Sequence, residues 1–223
     1  MAQSQIGSRL VYQNAKAIMK KNGFDPTYAV LSQSYLRLEV ALNTTSTQFR
    51  FPLVVNDNFS TQFNTQISLN LQDVFIVSRV RLVFAKPSSS TAVNFPLSTY
   101  PDTSIFTTAN TATSLNNWYN GYLSVTVNNK VVVPKYRLSA HYAAPTTQAQ
   151  TAPYYSANTQ PFVSEQYGNS TGWVVIEPNL LLSGAKQTDW TVQLPGAMQA
   201  VETNSRAIFE IEGLLAQNTT SVR

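Results

Sequence analysis

The stretch Val74–Ala85 reads VFIVSRVRLVFA, and its pattern decides the fold class. Apolar residues fill every second position from Val80 to Phe84, and Arg79 and Arg81 alternate with them. Successive side chains of a β-strand point to opposite faces, so this alternation predicts a strand with one face in an apolar core. We expect the even-numbered apolar residues from Val74 to Phe84 to share that core-facing side.

The same period of two recurs along most of the chain. Strands are predicted at residues 35–42, 49–55, 67–71, 74–85, 122–127, 130–133, 136–142, 173–177, 190–194 and 206–215. Asn128 and Asn129 separate two of them and suit a two-residue hairpin turn, because asparagine tolerates positive φ. Strands without intervening helices favour an antiparallel sandwich. We therefore predict an all-β, jelly-roll-like β-sandwich formed by residues 25–223 as a single domain.

One short helix is predicted at residues 5–21, where apolar residues recur with helical spacing before Gly23. It lies in a basic N-terminal arm, residues 1–24. Four of the chain's 15 Lys and Arg residues fall in its first 21 residues, where no acid occurs: Arg9, Lys16, Lys20 and Lys21. The rest of the chain is neutral, with 11 basic and 11 acidic residues. The arm either contacts nucleic acid or a neighbouring subunit, or it is a solvated helix face without acids.

Two long polar loops, residues 86–117 and 143–172, interrupt the strands. Loops of this length in a compact domain are usually functional or ordered by a partner. Four aromatic residues lie in or beside them: Trp118, Tyr119, Tyr154 and Tyr155. Such residues can stack on sugar rings, anchor a protein–protein interface, or close the ends of the sandwich. The sequence leaves these three alternatives open.

The composition excludes several kinds of chemistry. The chain has 223 residues, of which 43% are hydrophobic, and this is too apolar for an intrinsically disordered chain. Only 12% of its residues are charged, against about 25% in a typical domain. It has no cysteine, which excludes a disulfide scaffold, a thiolate zinc site and a cysteine nucleophile. No metal site, cofactor or membrane-spanning apolar run is predicted.

Two groups of titratable residues were considered as catalytic candidates. His141 is the sole histidine, and a role in catalysis would require a nucleophile and an orienting acid nearby. Glu210 and Glu212 lie two apart on one face of a predicted strand, as a pair of glycosidase carboxylates would require. The simpler interpretations are a structural histidine and the polar side of an amphipathic strand. We therefore predict no catalytic residues.

The chain resembles virion structural proteins, especially the jelly-roll capsid subunits of bacteriophages and other icosahedral viruses. The resemblance is carried by the basic helix, the weakly charged β body and three stretches: FPLVVNDN (residues 51–58), LNLQD (69–73) and GYLSVTVNNK (121–130). It extends over the whole chain, and no functional residue is carried over from it.

The resemblance implies a structural protein that self-assembles into or onto a capsid, located in the virion after assembly in the host cytoplasm. The implied partners are further copies of the chain, other virion proteins and packaged nucleic acid, the last through the N-terminal arm. Two alternatives remain at this stage. One is a head-decoration, neck or tail protein of a phage. The other is a non-catalytic carbohydrate-binding β-sandwich module that uses the loop aromatics.

Overall fold

The structure is a computed structural model that describes residues 2–53, 63–103, 105–108, 110–144, 172–177, 179–217 and 219–221. The helices are α1 (Ala2–Lys21) and α2 (Thr111–Tyr119), with a 3₁₀ turn at Leu138–His141. The strands are β1 (Phe24–Asp25), β2 (Val30–Ala41), β3 (Gln48–Pro52), β4 (Val74–Ala85), β5 (Leu97–Ser98), β6 (Tyr122–Val127), β7 (Lys130–Arg137), β8 (Val174–Val175), β9 (Leu181–Ser183), β10 (Thr188–Gln193), β11 (Arg206–Gln217) and β12 (Thr220–Ser221).

Two antiparallel sheets pack face to face as a sandwich. The front sheet has the order β3-β10-β6-β7. The back sheet has the order β2-β11-β4, and the far side of β4 is paired with the short strands β5, β8 and β9. If β5 is left out and β8 and β9 are counted as one strand, the eight strands numbered along the chain have the order 2-7-4-5 in the front sheet and 1-8-3-6 in the back sheet. These are two interlocked Greek keys, so the predicted jelly-roll-like sandwich is confirmed.

The core lies between the two sheets. Phe209 of the back sheet contacts Phe51 and Trp190 of the front sheet, with ring centroids 4.8 and 5.8 Å apart. All three side chains are fully buried. The alternating residues of both sheets therefore meet in one apolar layer, as the period of two predicts.

A β-bulge interrupts β4 in its middle. Arg79 is opposite Glu212 on β11, but Val77 is opposite Gly213, so Ser78 is an extra residue on β4. An extra residue in one strand shifts the alternation of side chains by one position.

The bulge corrects one detail of the sequence analysis. The expectation that Val74 and Ile76 share the core-facing side with Val80 is wrong. Phe75 and Val77 enter the core between the sheets, whereas Val74 and Ile76 point to the outer face of the back sheet and pack near α1. The bulge thus places an apolar surface on the outer face of the back sheet, where the helix packs.

The α1 helix packs on this apolar surface. Ala15 and Met19 are buried against Val74, Ile76 and Ala216 of the back sheet. Directly after α1, β1 pairs with β12, which ties the end of the helix to the C-terminal part of the chain. The predicted N-terminal helix is confirmed, and most of its stability comes from this packing rather than from intrinsic propensity.

The two asparagines between β6 and β7 adopt positive φ values, 50° at Asn128 and 63° at Asn129. This confirms the predicted two-residue hairpin turn. After β7, the chain forms the 3₁₀ turn Leu138–His141, so the strand expected at residues 136–142 ends at Arg137.

The prediction of a long polar loop at residues 86–117 is wrong in part. The segment contains β5 and most of α2. In α2 the buried residues Leu115, Trp118 and Tyr119 follow the spacing i, i+3, i+4, which forms an apolar stripe on a short helix. That spacing was visible in the sequence, although the surrounding Ser, Thr and Asn residues obscured it. Of the second predicted loop, 143–172, residues 145–171 lie outside the described part of the chain.

Candidate functional site

The described part of the basic arm is a helix face with three exposed lysines. Lys16, Lys20 and Lys21 are exposed, and within the described residues no ion pair joins them to an acidic side chain. Their backbone is held in place because Ala15 and Met19 on the opposite face are buried. Lys20 and Lys21 also lie in the last turn of α1, where positive charge interacts favourably with the helix dipole. The side chain of Arg9 lies outside the described part of the structure.

The two alternatives in which Trp118 and Tyr119 are exposed ligand or interface aromatics are not supported, because both side chains are buried. The Trp118 side chain is fully buried, and its ring lies 4.8 Å from that of Phe49 and 5.6 Å from that of Phe84. The Tyr119 side chain is 7% exposed, and its hydroxyl donates a hydrogen bond to the Thr99 carbonyl oxygen at 2.8 Å.

Both aromatic residues therefore close one end of the sandwich, which is the third alternative that the sequence left open. Burial raises the pKa of Tyr119, as expected of a hydroxyl taken out of water. Tyr154 and Tyr155 lie outside the described residues.

His141 is fully buried in the core. Its Nδ1 atom lies 3.1 Å from the Gly172 carbonyl oxygen, which can only accept, so Nδ1 carries the proton. Its ring packs 6.2 Å from that of Phe209. Burial lowers the pKa of His141 to about 4, although the Gly172 carbonyl opposes this shift. The environment agrees with a structural histidine.

We expect the buried histidine to make the fold sensitive to acid. In the unfolded chain His141 takes up a proton below its ordinary pKa of 6.5, whereas in the folded chain it does so near pH 4. Between these values protonation favours the unfolded state, so this group lowers the free energy of unfolding by at most about 1.4 kcal/mol per pH unit. Above pH 6.5 both states are neutral at this position and it adds no pH dependence.

Urea unfolding across this pH range measures the effect. The His141→Gln variant has no titratable side chain at position 141. Its free energy of unfolding should therefore fall less steeply with acid than that of the wild type. Equal slopes for the two proteins would contradict the prediction.

Glu210 and Glu212 belong to a ladder of ion pairs on the outer face of the back sheet. Arg81 Nε donates to Glu210 at 2.8 Å, and Arg79 Nε donates to Glu212 at 2.6 Å. The Trp173 ring covers both guanidinium groups, and its centroid lies 4.8 Å from Cζ of Arg79 and 4.7 Å from Cζ of Arg81. The two carboxylates are thus each compensated by an arginine, in agreement with the polar side of an amphipathic strand.

A second pair of this face is completely buried. Arg206 Nη1 donates to Glu39 Oε2 at 3.0 Å, and the two side chains are 1% and 0% exposed. Arg206 also lies under the Phe63 ring, 4.0 Å from its centroid, and Arg37 Nε donates to Glu39 Oε1 at 2.7 Å. This pair was not predictable from the sequence, because its members are far apart in the chain.

Comparison of the chain with protein-family models, curated proteins and solved structures gave no match. Within the described residues, no group of three or more His, Asp or Glu side chains could hold a metal ion. None of the described helices is long and apolar enough to cross a membrane.

A groove of about 930 Å³ opens between β7 and the β8–β9 segment. Val132, Ile176 and Leu181 contribute apolar surface to it, and Lys130 and Lys186 contribute positive charge. It lies on the side of the sandwich where β7 is the edge strand of the front sheet.

Proposed function

We propose that this chain is a structural virion protein that self-assembles into, or onto, an icosahedral capsid and has no catalytic activity. It would act in the virion after assembly in the host cytoplasm. Its partners would be further copies of itself, other virion proteins and packaged nucleic acid.

The asymmetry of the back sheet carries this proposal. A shell subunit needs an inner and an outer face, and this molecule bears an anchored basic helix on one face of the sandwich. Lys16, Lys20 and Lys21 of that helix are exposed, while the carboxylates of the underlying strands are compensated by arginines. The positive charge of α1 is therefore available to a polyanion on that side.

The remaining surface suits contacts between copies. The chain beyond α1 has as many acids as bases, so repulsion between copies is small. Large apolar side chains are exposed at several positions, with Tyr28 at 82%, Val93 at 66% and Val131 at 54%. Single exposed apolar residues are ordinary at a protein surface, so the low charge carries this point rather than these side chains.

The two alternatives are affected differently by the structure. A head-decoration, neck or tail protein also needs two different faces and a surface for contacts between copies, and it differs from a shell subunit in the size of the assembly. A carbohydrate-binding module would need exposed aromatic platforms, and the burial of Trp118 and Tyr119 removes two of the four residues considered for that role.

The native mass of the purified protein, measured by light scattering after size-exclusion chromatography at low and high salt, tests the proposal. We expect particles much heavier than the 24.7 kDa chain. A discrete ring would support the neck or tail alternative. A monomer at both salt concentrations, with and without added nucleic acid, would contradict self-assembly.

A DNA-binding titration at several salt concentrations tests the basic helix. The triple variant Lys16→Gln, Lys20→Gln, Lys21→Gln should bind a short double-stranded DNA more weakly than the wild type. Each lost phosphate contact removes about 0.9 from the slope of log affinity against log salt, so the slope should fall by about 3. The triple variant Lys130→Gln, Lys135→Gln, Arg137→Gln on β7 is the matched control. An equal loss in both variants would show that α1 has no special role.

A further inference from the structure

At the β2 edge of the back sheet, several backbone groups have no partner among the described residues. Arg37 exchanges both of its backbone hydrogen bonds with Ile67, at 2.9 and 2.8 Å, so its N–H and C=O point away from β11. Residues of the same parity point the same way in a regular antiparallel strand. The N–H and C=O groups of Leu31, Gln33 and Tyr35 therefore face the open edge, and within the described residues no backbone partner is recorded for them.

This part of the edge is uncharged and accessible. Residues 30–35 read VLSQSY, with Val30 54% exposed and Tyr35 50% exposed. It has no proline, lysine or bulge, which are the usual features that prevent an edge strand from pairing. Three alternate residues each present their backbone N–H and C=O along this edge. The edge is therefore a template for another strand.

The edge of the front sheet on the opposite side is protected. There β7 carries Lys130, Lys135 and Arg137 along its exposed residues, and it also contains Pro134. Two copies of β7 in antiparallel contact would bring these cations together, and like charges opposite each other destabilise a strand pair. The two edges differ in charge, and β2 is the one suited to a second copy of the chain.

We infer that Leu31–Tyr35 pairs antiparallel with the same residues of a second copy, about a two-fold axis at Gln33. This inference rests on the proposed function, because it names one contact of the proposed self-assembly. The pairing joins the two back sheets into one continuous sheet. It is an isologous contact, in which the same surface of both copies is used.

The geometry of the strand fits this symmetry. With Gln33 on the axis, Leu31 of one copy lies opposite Tyr35 of the other, so six free backbone groups on each copy find partners. The next residue of the same parity, Arg37, would lie opposite Ala29, where the chain has already left the strand in a turn closed by Pro26. Arg37 needs no partner there, because Ile67 already occupies its edge.

The pairing also places the basic helices. A two-fold axis perpendicular to a sheet keeps equivalent faces on the same side. Since α1 packs on the outer face of the back sheet, both helices lie on one side of the joined sheet. The dimer thus presents the exposed lysines of two copies in one direction, which strengthens binding to a polyanion through multivalency.

Single-cysteine variants test the pairing, because the wild-type chain has no cysteine. At the axis the two Gln33 Cα atoms would be about 5.5 Å apart, which is within reach of a disulfide. We expect Gln33→Cys to form a covalent dimer under mild oxidation. Tyr35→Cys, on the same edge, is the matched control, since its two copies would be separated by four residues, about 14 Å. The dimer yield should be about tenfold lower for Tyr35→Cys.

A charge exchange at the axis provides a second measurement. Gln33→Lys and Gln33→Glu should each lose the contact, because like charges meet at the axis, and an equimolar mixture should restore it as a heterodimer. Equal cross-linking of Gln33→Cys and Tyr35→Cys in a protein that still assembles would overturn the β2 contact and leave the proposed function standing. A wild type that forms a dimer and nothing larger, with an efficient Gln33→Cys cross-link, would instead support the contact and count against the shell.

Discussion

Replacing Trp118 with alanine is expected to lower the free energy of unfolding by about 3–5 kcal/mol. The side chain is fully buried and touches the rings of Phe49 and Phe84 from both sheets. Its Nε1 atom also lies 3.2 Å from the sulfur of Met198. Removing it leaves a cavity at the end of the sandwich that α2 closes. Equilibrium unfolding in urea measures the loss.

Two variants separate this packing from the general effect of losing an aromatic ring. Trp118→Phe retains most of the apolar volume and should lose much less stability than Trp118→Ala. Tyr28→Ala removes a ring that is 82% exposed and should change stability little. A Trp118→Ala protein as stable as the wild type would contradict this account of the packing.

Replacing Glu39 with alanine is the second change with a large expected effect. It leaves the Arg206 guanidinium buried without its carboxylate, and breaking a buried pair in this way destabilises by about 3–5 kcal/mol. Arg37 loses a hydrogen-bond acceptor as well. We expect a clear decrease in the midpoint of thermal and urea unfolding.

The double variant Glu39→Leu, Arg206→Met provides the test of mechanism. It removes both charges and keeps apolar volume, so it should recover much of the stability that Glu39→Ala loses. Glu177→Ala is the matched control, because that glutamate is exposed and within the described residues makes no ion pair. If Glu39→Ala were no more destabilising than Glu177→Ala, the buried pair would not contribute as argued.

The stability variants and the assembly variants act on different parts of the molecule. Trp118 and Glu39 are inside the fold, so their replacement should lower the stability of a single copy. Gln33 and the lysines of α1 are exposed, so their replacement should leave the unfolding midpoint nearly unchanged. This separation allows loss of assembly to be distinguished from loss of folding.

Several elements were predictable because their signals are local. The alternation in β4 and β11, the hairpin at Asn128 and Asn129, and the helix before Gly23 each depend on residues close together in the chain. Period and turn chemistry are properties of a short window, so the fold class and the N-terminal helix followed from the sequence.

The bulge at Ser78 was not predictable in this way. It reverses the faces of Val74 and Ile76, yet nothing in β4 alone shows which residue has no partner on β11. The short helix α2 did carry an apolar stripe, at Leu115 and Trp118, but its polar composition resembled that of a loop. The burial of Trp118 depends on the two sheets that surround it.

The all-β class, the low charge and the exclusion of cysteine chemistry could be read from the sequence, because they depend on composition and on neighbours in the chain. The folded structure was needed to show that Glu39 meets Arg206 across 167 residues and that Trp118 is buried. It also showed that the uncharged residues 30–35 of β2 lie at an edge of the back sheet and have no second strand beside them among the described residues. The physical reason is that burial and free hydrogen-bonding groups depend on which distant strands become neighbours, and a local pattern does not contain that information.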